Sequence, residues 1–259
     1  MKRKLKKAWI VLRRDGFGVF CAKLFAPLLG VFRRINQKIW LLDNDRILNK
    51  LKAFSSNDSR EAFRFISHDI GGIFSPMQIE EEFLNLLQVF KDAAPKTIME
   101  VGTANGGTLF CFARLATENA LLISVDLPEG EFGGGYSAKK IPFYQAFARP
   151  GQDLHLLRED SHVPETLEKV QGILGEKKVD FLFIDGDHSY EGVKKDFEMY
   201  SPLVRKGGVI AFHDVAPKGA PELTGGVPRF WKEISGKYPT RVFIKDMDQE
   251  GYGIGILTI

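Results

Sequence analysis

The sequence predicts an α/β protein: a doubly wound, mainly parallel sheet of seven strands with an N-terminal helical extension. The first observation behind this prediction is that short apolar segments alternate with helix-like segments from about Pro76 onward. The second is a pair of further strand-like segments at the C-terminal end. The third is a marked difference in charge between the first fifty residues and the rest. Alternating strands and helices are typical of a parallel sheet that is covered on both faces.

Five apolar segments have the length and composition of buried strands. They read TIMEVG, LLISVDL, LHLLRED, VDFLFID and GGVIAFHD. The segments before and between them have helical periodicity, beginning with PMQIEEEFLNLLQVFKDA and including GGTLFCFARLATEN, PETLEKVQGILGE and EGVKKDFEMYSPLV. After the fifth strand, VPRFWKEI predicts another helix. TRVFIKD and YGIGILTI then predict a hairpin that closes the sheet.

The N-terminal segment is basic, whereas the rest of the chain is acidic. The formal net charge of +3 is made of +11 in residues 1–52 and −8 in residues 53–259. Aromatic and aliphatic residues recur in this segment near the helical period, which predicts amphipathic helices. We therefore predict a basic helical arm over residues 1–55, a junction over residues 56–75 and the globular domain over residues 76–259.

The arm is not expected to cross a membrane. Arg13, Lys23 and Pro27 interrupt its apolar runs well short of the ~20 residues that a spanning helix needs. Two alternatives remain: the arm packs on the body or on a second subunit of a homo-oligomer, or it binds an anionic membrane surface. Nucleic acid is not expected, because no recognisable reader motif accompanies the charge. Cys21 and Cys111 lack metal or redox spacing, so we expect a cytoplasmic protein, either free or peripheral on the inner face of the membrane.

Carboxylates collect where the predicted strands end. Glu100, Asp126, Asp160 and Asp185 lie at the ends of four consecutive strands. Ligands of open α/β sheets bind beyond the carboxyl ends of the strands, so these side chains are expected to face one cleft. A single acid at such a position is more often a turn former or a helix cap, but four in succession favour a binding site.

The loop after the first strand, EVGTANGGT, is rich in glycine. Gly102 and Gly106 would let the backbone approach a ligand closely, and we count both as candidate cofactor-binding residues. The dinucleotide fingerprint G-x-G-x-x-G is incomplete, because Ala104 fills its middle glycine position. This gap argues against a nicotinamide-dependent oxidoreductase, which remains an alternative function.

Taken together in this order, six motifs resemble the class I S-adenosylmethionine-dependent methyltransferases. They are EVGTANGGT, VDLPEGEFGGGYS, REDSH, FIDGDHSYEGVKKDF, LVRKGGVIAFHD and GVPRFW. The resemblance is closest to the cephalosporin-hydroxylase-like branch, which is similar to macrolide sugar O-methyltransferases. It implies a Rossmann-like methyltransferase fold. It places Glu100 and Gly102 at the methionine end of the cofactor, Asp126 at the ribose hydroxyls, and Asp160 with Ser161 at the adenine.

The same resemblance implies candidate catalytic and metal-binding residues. His188 matches the position of a general base, and an ordinary histidine pKa near ~6.5 suits that role. Asp185, His213 and Asp214 match a trio that binds magnesium in related O-methyltransferases. His213 stands where those enzymes have an acid, and imidazole is a poorer magnesium ligand than carboxylate, so the metal could be Mg²⁺ or another divalent cation.

The expected function is O-methylation of a hydroxyl on a sugar-containing or polyhydroxylated small molecule or glycan, with a divalent metal assisting. A non-catalytic, membrane-associated cofactor-binding module is a further alternative. The loop PEGEFGGGYS, which contains Phe132 and Tyr136, is predicted to be a lid over cofactor and substrate.

Overall fold

The computed structural model describes residues 43–128, 135–220 and 224–259. Most of the predicted basic arm and the centre of the predicted lid lie outside these ranges, and both predictions stay untested. In the described part of the chain, no helix is long and apolar enough to cross a membrane.

A single seven-stranded sheet forms the centre of the protein, with the strand order β3-β2-β1-β4-β5-β7-β6. Strands β1 to β5 are parallel, whereas β7 is antiparallel to both β5 and β6. This confirms the predicted mainly parallel, seven-stranded α/β fold and the hairpin at its end. The strands are β1 Thr97–Val101, β2 Leu121–Asp126, β3 Asp153–Arg158, β4 Val179–Ile184, β5 Val204–His213, β6 Thr240–Phe243 and β7 Ile254–Thr258.

Helices cover both faces of the sheet because the central strands are apolar on both sides. The helices before β4 are α1 Asn44–Ala53, α2 Ser59–Arg64, α3 Glu80–Ala93, α4 Gly107–Leu115, α5 Ile141–Gln145 and α6 Pro164–Leu174. The later ones are α7 Tyr190–Tyr200 and α8 Val227–Ile234. Helices α1 to α5 contribute to the hydrophobic cluster on one face, and α6, α7 and α8 to the cluster on the other.

Residues 43–75 are packed against the rest of the domain. In α1, Ile47 and Leu51 are fully buried. The buried guanidinium of Arg114 in α4 donates to the carbonyl oxygens of Leu51 at 2.6 Å and Phe54 at 3.1 Å. A cation at a helix C-terminus can bind the carbonyl oxygens that are exposed there. Arg114 therefore anchors the C-terminal end of α1 to α4. The predicted boundary at residue 55 between arm and domain stays a prediction.

Helix α3 begins at Glu80, four residues later than the segment that the sequence predicts as helical from Pro76. Residues 76–79 instead form a non-helical entry into the helix, with a bend at Met77 and Gln78 and extended geometry at Ile79. This entry brings Gln78 to the carboxyl edge of the sheet, where the candidate site lies.

Candidate active site

The loop after β1 is held by close packing between neighbouring strand ends. Gly102 has φ +88°, and a Cβ there would lie 2.0 Å from the carbonyl oxygen of Asp185. Gly106 has φ +82°, and a Cβ there would lie 2.7 Å from the ring of Tyr144. Both positions therefore require glycine because of contacts within the protein, in addition to any approach of a ligand.

Glu100 is the penultimate residue of β1, and its side chain is buried. Burial raises the pKa of Glu100 to about 8, although the hydroxyl of Thr108 donates to Oε1 and partly offsets this. Its other oxygen, Oε2, has no hydrogen-bond partner in the part of the chain that the structure describes. A buried carboxylate oxygen without a partner is costly, so Glu100 fits a site that receives a cationic or hydrogen-bond-donating ligand group.

Asp126, at the end of β2, holds the glycine-rich loop. Its Oδ2 accepts hydrogen bonds from the backbone N–H groups of Thr103 at 2.8 Å and Ala104 at 2.6 Å. Its Oδ1 accepts from the N–H of Leu127 at 2.8 Å. Burial raises the pKa of Asp126, and these three donors oppose that shift. The carboxylate thus lies beside the loop, where Oδ1, which accepts one hydrogen bond, retains capacity to accept from a ligand hydroxyl.

Asp160 and Ser161 follow β3 but differ in their surroundings. Asp160 is exposed and accepts from the backbone N–H of His162 at 2.8 Å. Ser161 donates its hydroxyl to Oδ1 of Asp196 at 2.7 Å. Asp196, in α7, is fully buried, and Nε2 of His162 lies 3.1 Å from the same oxygen. The loop after β3 is therefore anchored to α7 through the buried carboxylate of Asp196.

Asp185 directly follows β4 and lies close to three other side chains of the site. Its Oδ1 lies 3.1 Å from Nδ1 of His213 and 3.6 Å from Nε2 of His188. Its Oδ2 accepts a hydrogen bond of 2.7 Å from the side-chain amide of Gln78. Burial by itself would raise the pKa of Asp185, but the two imidazoles outweigh burial and lower it to about 2.

His188 and His213 lie on either side of a pair of carboxylates. Oδ2 of Asp214 lies 3.3 Å from Nδ1 of His188 and 3.3 Å from Nδ1 of His213. The side chain of His213 is buried, whereas that of His188 is 38% exposed. Burial by itself would lower the pKa of His213, but Asp185 and Asp214 raise it to about 10. His188 is thus the histidine of the pair that a substrate could reach.

The same group has the composition of a cation site. One ligand atom each from Asp185, His188 and Asp214 can be chosen so that all three lie within 4.8 Å of one another. Two carboxylates and an imidazole suit manganese, iron or zinc at least as well as magnesium. The sequence-based trio contains His213 in place of His188, and the structure brings all four side chains together.

Gln78 is a site residue that sequence reasoning missed. It is 8% exposed, and its Oε1 has no hydrogen-bond partner among the described residues. Its partner Asp185 is 107 residues away in the chain. A glutamine just before a helix carries no motif, so only the fold reveals its place.

Asp187 lies beside the cluster, but its side chain accepts a hydrogen bond from the backbone. Its Oδ1 accepts from the N–H of Ser189 at 2.8 Å, and Ser189 in turn caps α7 by accepting from the N–H of Gly192. A side-chain-to-backbone bond of this kind is typical of a turn that leads into a helix.

The sheet, with an antiparallel seventh strand between β5 and β6, and the acids at its carboxyl edge define the class I methyltransferase fold. Consistent with this, residues 99–215 match a family model described as a methyltransferase domain. Residues 99–215 are therefore similar to a methyltransferase domain, and the fold is that of the class I methyltransferases.

Similar structures agree on the fold. The O-methyltransferase from Bacillus cereus in complex with SAH is 16% identical, with a TM-score of 0.51 over 80% of this chain and 93% of that one. The O-methyltransferase TomG from Streptomyces achromogenes, in complex with SAM, is also 16% identical, with a TM-score of 0.51 over 86% and 98%. A putative O-methyltransferase from Klebsiella pneumoniae is 19% identical, with a TM-score of 0.50 over 83% and 88%.

Two curated relatives are similar over part of the chain. The uncharacterized protein y4gI of Sinorhizobium fredii is 30% identical over 155 residues, which are 58% of this chain and 16% of that protein. The uncharacterized protein R132 of Acanthamoeba polyphaga mimivirus is 42% identical over 62 residues, which are 23% of this chain and 28% of that protein. The chain thus spans about a sixth and somewhat over a quarter of these relatives.

Proposed function

We propose that the protein transfers a methyl group from S-adenosylmethionine to a hydroxyl of a polyhydroxylated small molecule or glycan. The observation that carries this proposal is the position of His188. Its imidazole is accessible and lies between the carboxylates of Asp185 and Asp214, at the same sheet edge as Glu100 and Asp126. A hydroxyl nucleophile has to lose its proton, and a histidine held by two carboxylates is suited to accept it.

The residues at the carboxyl ends of β1, β2 and β3 fit S-adenosylmethionine. Glu100 offers a buried oxygen without a partner among the described residues to the ammonium group of the methionine moiety, and Asp126 offers its Oδ1 to a ribose hydroxyl. We place Asp160 and Ser161 near the adenine, with their loop fixed to α7. When bound, S-adenosylmethionine supplies an electrophilic methyl group. The protein has to hold the acceptor hydroxyl in line with that group and exclude water.

Nε2 of His188 takes the proton from the acceptor hydroxyl. Asp214, 3.3 Å from Nδ1, orients the ring, and Asp185, 3.6 Å from Nε2, helps to stabilise the resulting imidazolium. Histidine paired with a carboxylate is held in one tautomer and becomes more basic. The buried His213 touches the same two carboxylates, so it fixes their positions from the inner side.

A divalent cation would be held by Asp185, Asp214 and His188, with His213 adjacent. It would lower the pKa of a hydroxyl or water bound to it, which is the chemistry that O-methylation needs. In that arrangement His188 would act as a ligand. The metal-assisted route and the histidine-base route are therefore distinct versions of the same function.

Calorimetry tests the cofactor. We expect S-adenosylmethionine to bind in the micromolar range and binding to weaken at least about tenfold in Asp126→Ala, while NAD gives no binding heat. Absence of S-adenosylmethionine binding to the folded wild-type protein would refute the function.

Thermal unfolding with and without metal tests the cation. A ligand that binds only the native state at 100 times its Kd stabilises by about 2.7 kcal/mol. The metal-assisted route requires that Mn²⁺ or Zn²⁺ raise the Tm of the wild-type protein but not that of Asp214→Asn. Equal responses of the two proteins would exclude a metal at this site and leave His188 as the base.

A further inference from the structure

A cavity lies beside the candidate active site, between α8, strand β6 and the loop after β5. Its volume is about 790 Å³, within the range of small-molecule sites. Helix α8 provides one wall through Pro228, Trp231 and Lys232, and Ser235, which directly follows the helix, extends this wall. None of the proposed catalytic or cofactor residues lines this cavity.

The cavity adjoins the catalytic cluster through the backbone. Val215 lines it and directly follows Asp214, which has φ +62°. Gly225 lines it as well, and a Cβ there would lie 2.1 Å from the carbonyl oxygen of His188. The same carbonyl accepts a hydrogen bond of 2.7 Å from the N–H of Gly226. The cavity and the catalytic cluster are therefore separated by little more than the backbone at Val215 and at the carbonyl of His188.

The lining is apolar with cationic groups. Val242, 45% exposed, and Met247, 60% exposed, are large hydrophobic residues left accessible on the β6 side. The charged side chains among the described lining residues are Arg229 and Lys232, both cationic. An apolar pocket with a few fixed polar groups is typical of a site for a ligand that has an apolar body and a matching charge.

Arg229 is held in place at this wall. Its guanidinium lies 4.2 Å from the centre of the Tyr190 ring, within the range of a cation–π contact. The hydroxyl of Tyr190 donates to the carboxylate of Glu233 at 2.5 Å, and Glu233 does not line the cavity. The positive charge of the wall is therefore not paired with an acidic side chain of the lining in the described part of the chain.

We propose that this cavity binds an apolar group carrying a negative charge, such as a phosphate, sulfate or carboxylate, and that this group is part of the methyl acceptor. The second clause rests on the proposed function. Acceptors with a polyhydroxylated end to be methylated and an apolar, anionic end to be anchored would then span the catalytic cluster and the cavity.

Fluorescence titration of the full chain with 8-anilinonaphthalene-1-sulfonate tests the site, since this probe combines an apolar ring system with one anionic group. Lys232→Glu reverses a lining charge, and Val242→Trp fills the cavity. We expect each to raise the Kd at least about tenfold.

Lys177→Glu makes the same charge change at the opposite end of the sheet. Arg241→Trp places the same large side chain one residue away on an exposed position of β6. Both controls should stay within about twofold of wild type.

A second probe and the cofactor product separate the outcomes. N-phenyl-1-naphthylamine, which lacks the sulfonate, should bind at least about tenfold more weakly to wild type and equally to wild type and Lys232→Glu. Equal binding of the sulfonate by wild type and both cavity variants, with unchanged circular dichroism, would overturn the proposal. So would equal affinity for the neutral probe. If the cavity variants behave as expected but S-adenosylhomocysteine does not bind by calorimetry, the anion site stands and its assignment to a methyl acceptor is overturned.

Discussion

Replacing Gly102 by alanine tests the idea that the strand ends are locked together at the site. Alanine at φ +88° costs about 1–2 kcal/mol in backbone strain. The added Cβ would also lie 2.0 Å from the carbonyl oxygen of Asp185, and overpacking of this kind typically costs about 1–3 kcal/mol. Relaxation is restricted, because the N–H of Gly102 donates to Val125 and that of Asp185 donates to Val101. We therefore expect a loss of about 2–5 kcal/mol in the free energy of unfolding.

Urea denaturation followed by circular dichroism measures this loss. A domain of this size loses about 2–4 °C in Tm per kcal/mol, so Gly102→Ala should also melt about 4–20 °C lower. Gly172→Ala is the matched control. Gly172 lies inside α6 with nothing within 4 Å of an added Cβ, and alanine there should stabilise by about 0.5–1 kcal/mol. If Gly102→Ala unfolds within about 0.5 kcal/mol of wild type, the close approach of the two strand ends is not as described.

Two further predictions concern side chains beside the site. Gln78→Leu removes the donor to Asp185, and hydrogen bonds to charged groups contribute about 1.5–3 kcal/mol, so urea denaturation should show a loss of that size; a loss below about 0.5 kcal/mol would contradict the contact. The pKa of His162 is raised, chiefly because its Nε2 lies 3.1 Å from the buried carboxylate of Asp196. The stability that this pair contributes is therefore complete below the unfolded-state pKa of about 6.5 and is lost as pH rises through the folded-state value. The difference in free energy of unfolding between wild type and His162→Gln should therefore be larger at about pH 5.5 than at about pH 9, and an equal or opposite difference would exclude the pairing.

The parallel part of the fold could be predicted because its strands are buried on both faces. Such strands appear as nearly continuous apolar runs, as in VDFLFID, and the helices between them keep a helical period. The position of β7 between β5 and β6 could not be predicted in the same way. A hairpin read from the sequence can attach to the sheet edge through either strand, and only packing against the rest of the fold decides which.

The candidate site could be predicted where chemistry coincides with a strand end. Glu100, Asp126, Asp185 and Asp214 meet this condition, and the structure places all four at the carboxyl edge. Gln78 does not meet it, because it reaches Asp185 from a segment before β1 that sequence periodicity assigns to a helix. Likewise, sequence spacing gives Gly102 and Gly106 a role near a ligand but does not reveal the neighbouring groups that exclude any larger residue.

The position of His213 determines how the two carboxylates of the cluster can be used. Its Nδ1 lies 3.1 Å from Asp185 and 3.3 Å from Asp214, and its side chain is buried. A positively charged imidazole there already compensates part of their negative charge, so a divalent cation would compete with it for the same oxygens. The histidine thus weakens the case for magnesium and strengthens the case for His188 as the base, because the two carboxylates are held in position by the protein itself.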